Sequence, residues 1–228
     1  MTCAMLLIGC GGDGDEAEPI SSTSTSVVHE TAGTIPPPGP ATSGLLVASP
    51  SLQVPIADPG SRAVVTWGNV TDSAIVAIFR NMTRQTVTDV AVAARRRGRT
   101  ELVGPPGLVV PSVLNPGEWG MALVVLDEPG APALEFDVKS ATEPRITLAV
   151  QSAEGRDGGV AGVVGNQTER AVKDVMVDVV CFSGSRPKTM ARLRPTAGLA
   201  AGASASFAAP IQGTPCTTWA VVASALPQ

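Results

Sequence analysis

The sequence predicts an all-β protein: two tandem small β-sandwich domains behind a disordered N-terminal linker. Three observations carry that expectation. The chain repeats itself at a fixed offset of 85 residues, as in Asn81-Met82-Thr83 against Asn166-Gln167-Thr168. Its apolar residues fall in short, partly β-branched runs bounded by Gly, Pro, Asn or Asp, and 20 prolines in 228 residues are too many for long helices. Residues 11–44 are polar, acidic and proline-rich, a composition that buries too little apolar surface to offset the entropy of ordering.

Composition narrows the function classes. The single histidine, His29, falls in the linker, so the body has none to act as acid or base near neutral pH or to activate a hydroxyl. Three Trp, four Phe and no Tyr leave little for a sugar platform or a base-stacking surface, so nucleic acid is not an expected partner. The sequence contains no G-x-S-x-G, H-E-x-x-H, P-loop or C-x-x-C pattern. The expectation is a protein that is not an enzyme and uses no cofactor or metal.

Residues 1–10 end in Leu7-Ile8-Gly9-Cys10, followed by Gly11, Gly12 and an acidic stretch. This resembles the lipobox of bacterial lipoprotein signal peptides, in which a small residue precedes the cysteine that accepts lipid. The resemblance implies lipidation of Cys10, attachment to the membrane through that lipid, and an extracytoplasmic location on the bacterial cell membrane. Several acyl chains at about 0.8 kcal/mol per CH₂ would make the anchor effectively permanent. The nine residues before Cys10 hold no Lys or Arg, short of a charged n-region and a full apolar core. The expected explanation is a translation start farther upstream. The alternative is an ordinary N-terminus that happens to contain Leu-Ile-Gly-Cys. No later run reaches the ~20 apolar residues of a membrane helix.

Cysteine usage fits that compartment. Cys3 lies in the segment to be removed and Cys10 would carry lipid, which leaves Cys181 and Cys216 as one pair where disulfides persist. A bridge closing a loop of about 36 residues is worth roughly 4 kcal/mol in the loop-entropy model. Two free buried thiols are the alternative.

The linker, residues 11–44, carries Asp13, Asp15, Glu16, Glu18 and Glu30, no base, a Ser/Thr run, and Pro36-Pro37-Pro38-Gly39-Pro40. It reads as an acidic coil followed by a stiffer spacer, spanning roughly 30 Å if treated as a flexible chain. Its Asp-Gly-Asp-Glu cluster lacks the spacing of a calcium loop. The rest of the chain holds 16 bases against 15 acids. The net charge of −4 therefore belongs to the linker, and the body is near neutral.

The body divides at residues 45–138 and 139–228. Val87 matches Val172, Asp89-Val90 matches Asp174-Val175, and Leu114 and Gly117 match Leu199 and Gly202; Pro59 matches Pro144. In the second copy Val175, Val177, Val179 and Cys181 alternate with Asp174, Met176, Asp178 and Val180, the period of a half-buried strand. Short strands with regular turn signals suggest an immunoglobulin-like sandwich for each copy. The order strand, Asn-x-Thr, Val-rich strand, Leu-x-x-Gly, strand resembles the FxLYD domain of bacterial and archaeal envelope proteins. The carrying residues are Val163–Thr168, Val172–Val179 and Leu199–Phe207, with Ile78–Thr83, Val87–Ala94 and Leu114–Gly117 in the first copy. The name-giving Phe-x-Leu-Tyr-Asp stretch is absent. The resemblance implies fold and envelope location and carries over no catalytic residue.

Four further features need a reading. Arg95, Arg96, Arg97 and Arg99 form either an anion contact or a solvated turn bent at Gly98, with the nearby acids favouring the turn. The two aligned Asn-x-Thr triplets, Asn81-Met82-Thr83 and Asn166-Gln167-Thr168, read as turns in which Asn bonds its own backbone and tolerates a left-handed conformation. Asp89 and Asp174 read as strand-start residues, and Trp67, Trp119 and Trp219 as core or strand-flank residues. The leading function is a lipid-anchored surface protein whose tandem sandwiches serve as an interaction or spacer module, with an envelope protein or wall polymer as partner. The alternative is an accessory or ligand-binding subunit of a membrane transporter or envelope enzyme. It would need a cleft between the domains, which the short connection from Lys139 to Pro144 permits.

Overall fold

The computed structural model describes residues 45–52, 63–129, 134–143, 145–211 and 216–228. Cys3, Cys10, His29, Pro59, Pro144 and the linker lie outside these, and nothing in the structure bears on the readings placed there. Every element among the described residues is a β-strand, and no helix is long and apolar enough to cross a membrane.

Strand β1 (Leu46–Ala48) precedes the first copy. That copy runs β2 (Ala63–Thr71), β3 (Ala74–Asn81), β4 (Val87–Thr88), β5 (Val90–Arg96), β6 (Gly107–Val110), β7 (Val113–Leu114), β8 (Trp119–Val125) and β9 (Leu134–Ser140). The second runs β10 (Ile146–Arg156), β11 (Gly159–Gly165), β12 (Val172–Ser183), β13 (Arg186–Leu193), β14 (Gly198–Leu199), β15 (Ser204–Pro210) and β16 (Trp219–Pro227). The 85-residue offset is therefore structural. β3 and β11, β7 and β14, β8 and β15, and β9 and β16 each begin 85 positions apart.

Each copy is one sheet curled into a sandwich. In copy one the order is β2-β3-β8-β6-β5-β9, and Val109↔Ala122 and Val110↔Met121 make the short join between the halves. Ala77, Phe79 and Ala122 from one half meet Val92 and Val109 from the other. In copy two β10-β11-β15 faces β16-β12-β13, and the halves join where Ile146–Leu148 of β10 pairs with Ala223–Ala225 of β16. Val160, Val164 and Phe207 meet Val175, Val177, Val179 and Val221 inside.

A third apolar layer lies between the copies. Val76 and Ile78 of β3 with Trp119 and Met121 of β8 pack against Val180 and Phe182 of β12 with Ala220 and Val222 of β16. The central strands are thus covered on both faces. β12 alternates as expected up to Val179, and then Val180, Cys181 and Phe182 are all buried. β3 and β16 are buried almost throughout, as strands covered on both faces must be. Backbones also approach closely here: a Cβ added at Gly68 would sit 2.1 Å from the Pro187 carbonyl oxygen.

Strand β1 falls within the range assigned to copy one by sequence, yet it pairs with the last strand of copy two, in the register Leu46↔Val222, Val47↔Val221, Ala48↔Ala220. Beyond it, the Ser49 N–H donates to the Trp219 carbonyl (2.9 Å), and the Trp219 N–H donates to Ser49 Oγ (2.9 Å). The chain therefore visits copy two, builds copy one, and returns.

Candidate functional site

One framework recurs in both copies and accounts for three of the sequence motifs. Asn81 and Asn166 are 0% and 1% exposed. Asn81 Nδ2 donates to the carbonyls of Gln85 (2.8 Å) and Leu114 (3.0 Å), and its Oδ1 accepts from Thr83 N (3.0 Å) and Oγ1 (2.7 Å). Asn166 repeats the set with Arg170 (2.8 Å), Leu199 (3.2 Å) and Thr168, and adds Ala200 (3.1 Å). Gly117 and Gly202, at φ 82° and 72°, return N–H bonds of 2.8 Å to the Asn81 and Asn166 carbonyls. The Leu-x-x-Gly turn and the Asn-x-Thr turn are thus one unit, and the Asn amides are spent on it.

The left-handed conformation expected at Asn falls instead on Asp89 (φ 49°) and Asp174 (φ 50°). Their N–H groups donate to the carbonyls of Ser112 (2.7 Å) and Ala197 (2.8 Å), again 85 residues apart. The bend starts the Val-rich strand in each copy. The surroundings differ. Asp174 meets Arg145 Nη1 at 3.0 Å and Arg194 Nε at 3.3 Å, whereas the Asp89 carbonyl accepts from Ala141 N at 2.6 Å. Sequence reasoning missed Arg80. It is 2% exposed, donates from Nε to the Gly117 carbonyl (3.0 Å) and leaves Nη1 without a partner; burial lowers its pKa. Its counterpart is Gly165, so comparison of the copies could have flagged it.

The arginine segment lies at one end of copy one. β5 runs into Arg95 and Arg96, and a turn at Gly98 (φ 72°) is held by the Arg99 N–H on the Arg96 carbonyl (2.9 Å). Arg95 reaches Glu135 (3.4 Å) and Asp137 (3.5 Å) on β9, Arg97 reaches Glu135 (3.9 Å), and Arg96 pairs with Glu128. The pairing acids are thus on β9 and the loop after β8. Exposed pairs of this kind add only about 0–1 kcal/mol each, but they neutralise most of the segment.

Beneath this segment lies a cavity of about 400 Å³. Its floor is Val103, Leu126 and Leu134, with Leu102 at the edge. Arg96, Arg99, Glu101, Asp127 and Glu128 form its rim. The wall at 102–104 is pinned between strands: Val103 N donates to the Ala94 carbonyl (3.0 Å) and Asp127 N to the Val103 carbonyl (2.7 Å). Gly104 lets it lie close, since a Cβ there would sit 1.9 Å from the Val125 oxygen. A second, shallower cavity of about 500 Å³ lies at the junction of the copies, with Leu45, Val113, Arg145 and Pro227 in its lining.

At the matching end of copy two, Cys181 and Cys216 form a disulfide with Cα atoms 5.5 Å apart. Among the described residues no group of three or more His, Cys, Asp or Glu is placed to hold a metal ion. No protein-family model and no curated protein matches this chain.

Proposed function

We propose that the protein is a lipid-anchored component of a bacterial cell envelope, held at the membrane by lipid on Cys10 and carrying two FxLYD-like sandwiches as an interaction module on an acidic tether. The lipobox-like Leu7-Ile8-Gly9-Cys10 followed by a 34-residue spacer (residues 11–44) is the observation that carries the reading. The body supports it in kind. Residues from the linker's end through Gln228 form one compact unit, and the apolar layer between the copies makes the tandem repeat a single block. Partitioning of the native protein between detergent and aqueous phases tests the anchor. The wild type is expected in the detergent phase and Cys10→Ala in the aqueous phase; identical partitioning of the two overturns the proposal.

A further inference from the structure

The two copies diverge at one end, where copy one has a cavity and copy two a plug. At the offset of 85, Arg96 corresponds to Cys181, Leu126 to Ile211, Ala131 to Cys216 and Leu134 to Trp219. In copy two those four residues all belong to the buried core: the disulfide, the indole and the isoleucine fill the end of the sandwich. In copy one a flexible arginine replaces a cysteine and a leucine replaces the tryptophan. Arg96, Leu126 and Leu134 all line the cavity of about 400 Å³, within the range of roughly 300–1,000 Å³ typical of small-molecule sites.

We infer that this open end of copy one binds a small zwitterion with an apolar body, of the class of a free apolar amino acid or a short apolar peptide. Size and floor set the body. Leu126 and Leu134 are buried beneath the cavity, Val103 is half-buried, and Leu102 is one of the few large apolar side chains left exposed. The rim sets the head. It carries Arg96 and Arg99 against Glu101, Asp127 and Glu128. A simple anion meets three carboxylates there, and a simple cation meets two guanidiniums. A ligand with both an ammonium and a carboxylate finds a partner for each. Arg96 is already held by Glu128, while Arg99 has no ion pair among the described residues and is the guanidinium left for a carboxylate. The other two arginines of the run are engaged by Glu135 and Asp137 outside the cavity, which keeps the site from being merely cationic. An apolar floor with a few convergent charged groups at its mouth is the usual construction of such a site.

The test is titration of the isotopically labelled full chain with leucyl-leucine, N-acetyl-leucyl-leucine and leucyl-leucinamide, read as amide chemical shifts. The parent dipeptide is expected to give saturable shifts at Leu102, Val103 and Leu126. Either cap should weaken binding roughly tenfold or more, since each removes one charge. Leu134→Trp installs the side chain that copy two uses as its plug and should abolish the shifts. Arg99→Ala and Asp127→Asn, both on exposed side chains, should weaken binding with the melting temperature unchanged, and they carry the test if the Trp variant fails to fold. Absence of saturable shifts up to about 10 mM overturns the inference. So does equal binding of the capped forms, or wild-type affinity in both exposed-residue variants.

Discussion

Copy one and copy two share a framework and differ in what they do with their ends. In both, a buried asparagine ties an Asn-x-Thr turn to a Leu-x-x-Gly turn, and an aspartate at positive φ launches the Val-rich strand. At one end, copy two is closed by a covalent bridge and an indole, and its last strand is flanked by β1. Copy one keeps charged side chains over a cavity. The framework bonds tie one buried side chain to two fixed turns of the same copy, so duplication of the unit preserves them. The end of a sandwich is bounded only by loops, so its contents can change without disturbing the sheets. The repeat is thus a scaffold with one end filled in copy two and the matching end of copy one left with a cavity.

The largest expected effect tests the shared framework. Asn166→Ala strands three carbonyls and two donors from Thr168, and Asn81→Ala strands a similar set. At about 1–3 kcal/mol for a buried polar group left unpaired, each should lower stability by roughly 3–5 kcal/mol. Calorimetry should show one transition shifted in both variants, because the copies share an apolar layer. Two separate transitions would show that the copies unfold independently.

The disulfide comes next and should act on copy two. Cys181→Ala with Cys216→Ala should cost about 4 kcal/mol. The oxidised protein should resist alkylation and weigh two hydrogens less than the reduced form. Full alkylation of both thiols without reductant would exclude the bridge. Val47→Asp places a carboxylate in the core of copy two through β1 and should cost about 3 kcal/mol or more, measured by urea unfolding. A negligible change would mean that β1 adds nothing to copy two.

The smallest effects are at the paired aspartates and should differ between the copies. Asp89→Gly removes side-chain strain at φ 49° and should be neutral or stabilise by up to about 1 kcal/mol. Asp174→Gly gains the same relief but loses Arg145 and Arg194, so it should be destabilising by about 1 kcal/mol. Thermal melts of the two variants decide this; equal shifts would erase the asymmetry between the copies.

Much of the fold was legible before any coordinates. The repeat, the strand character of Val172–Cys181 and the turn role of the aligned Asn-x-Thr triplets follow from local spacing and composition. The pairing of Cys181 with Cys216 is one of two readings, reached by setting Cys3 and Cys10 aside, and the structure forms the bridge. The candidate site was legible only as a basic run. Its neutralising acids, Glu128, Glu135 and Asp137, are 32 or more residues along the chain from the arginines they meet or on a strand whose register no local pattern reveals. The cavity beneath it appears only when the loop after β8 is set against β5.

Two copies of one β-unit are written into the chain locally, because alternation, turn residues and backbone conformational limits act over a few residues at a time. That the copies share a layer, that Leu46–Ala48 crosses to the far copy, and that one sandwich end is plugged while the other is open are set by long-range packing. Those outcomes depend on which apolar faces meet and which volumes are filled. Runs such as Val179–Phe182 and Ala220–Val222 hint that both faces are buried, but not against what.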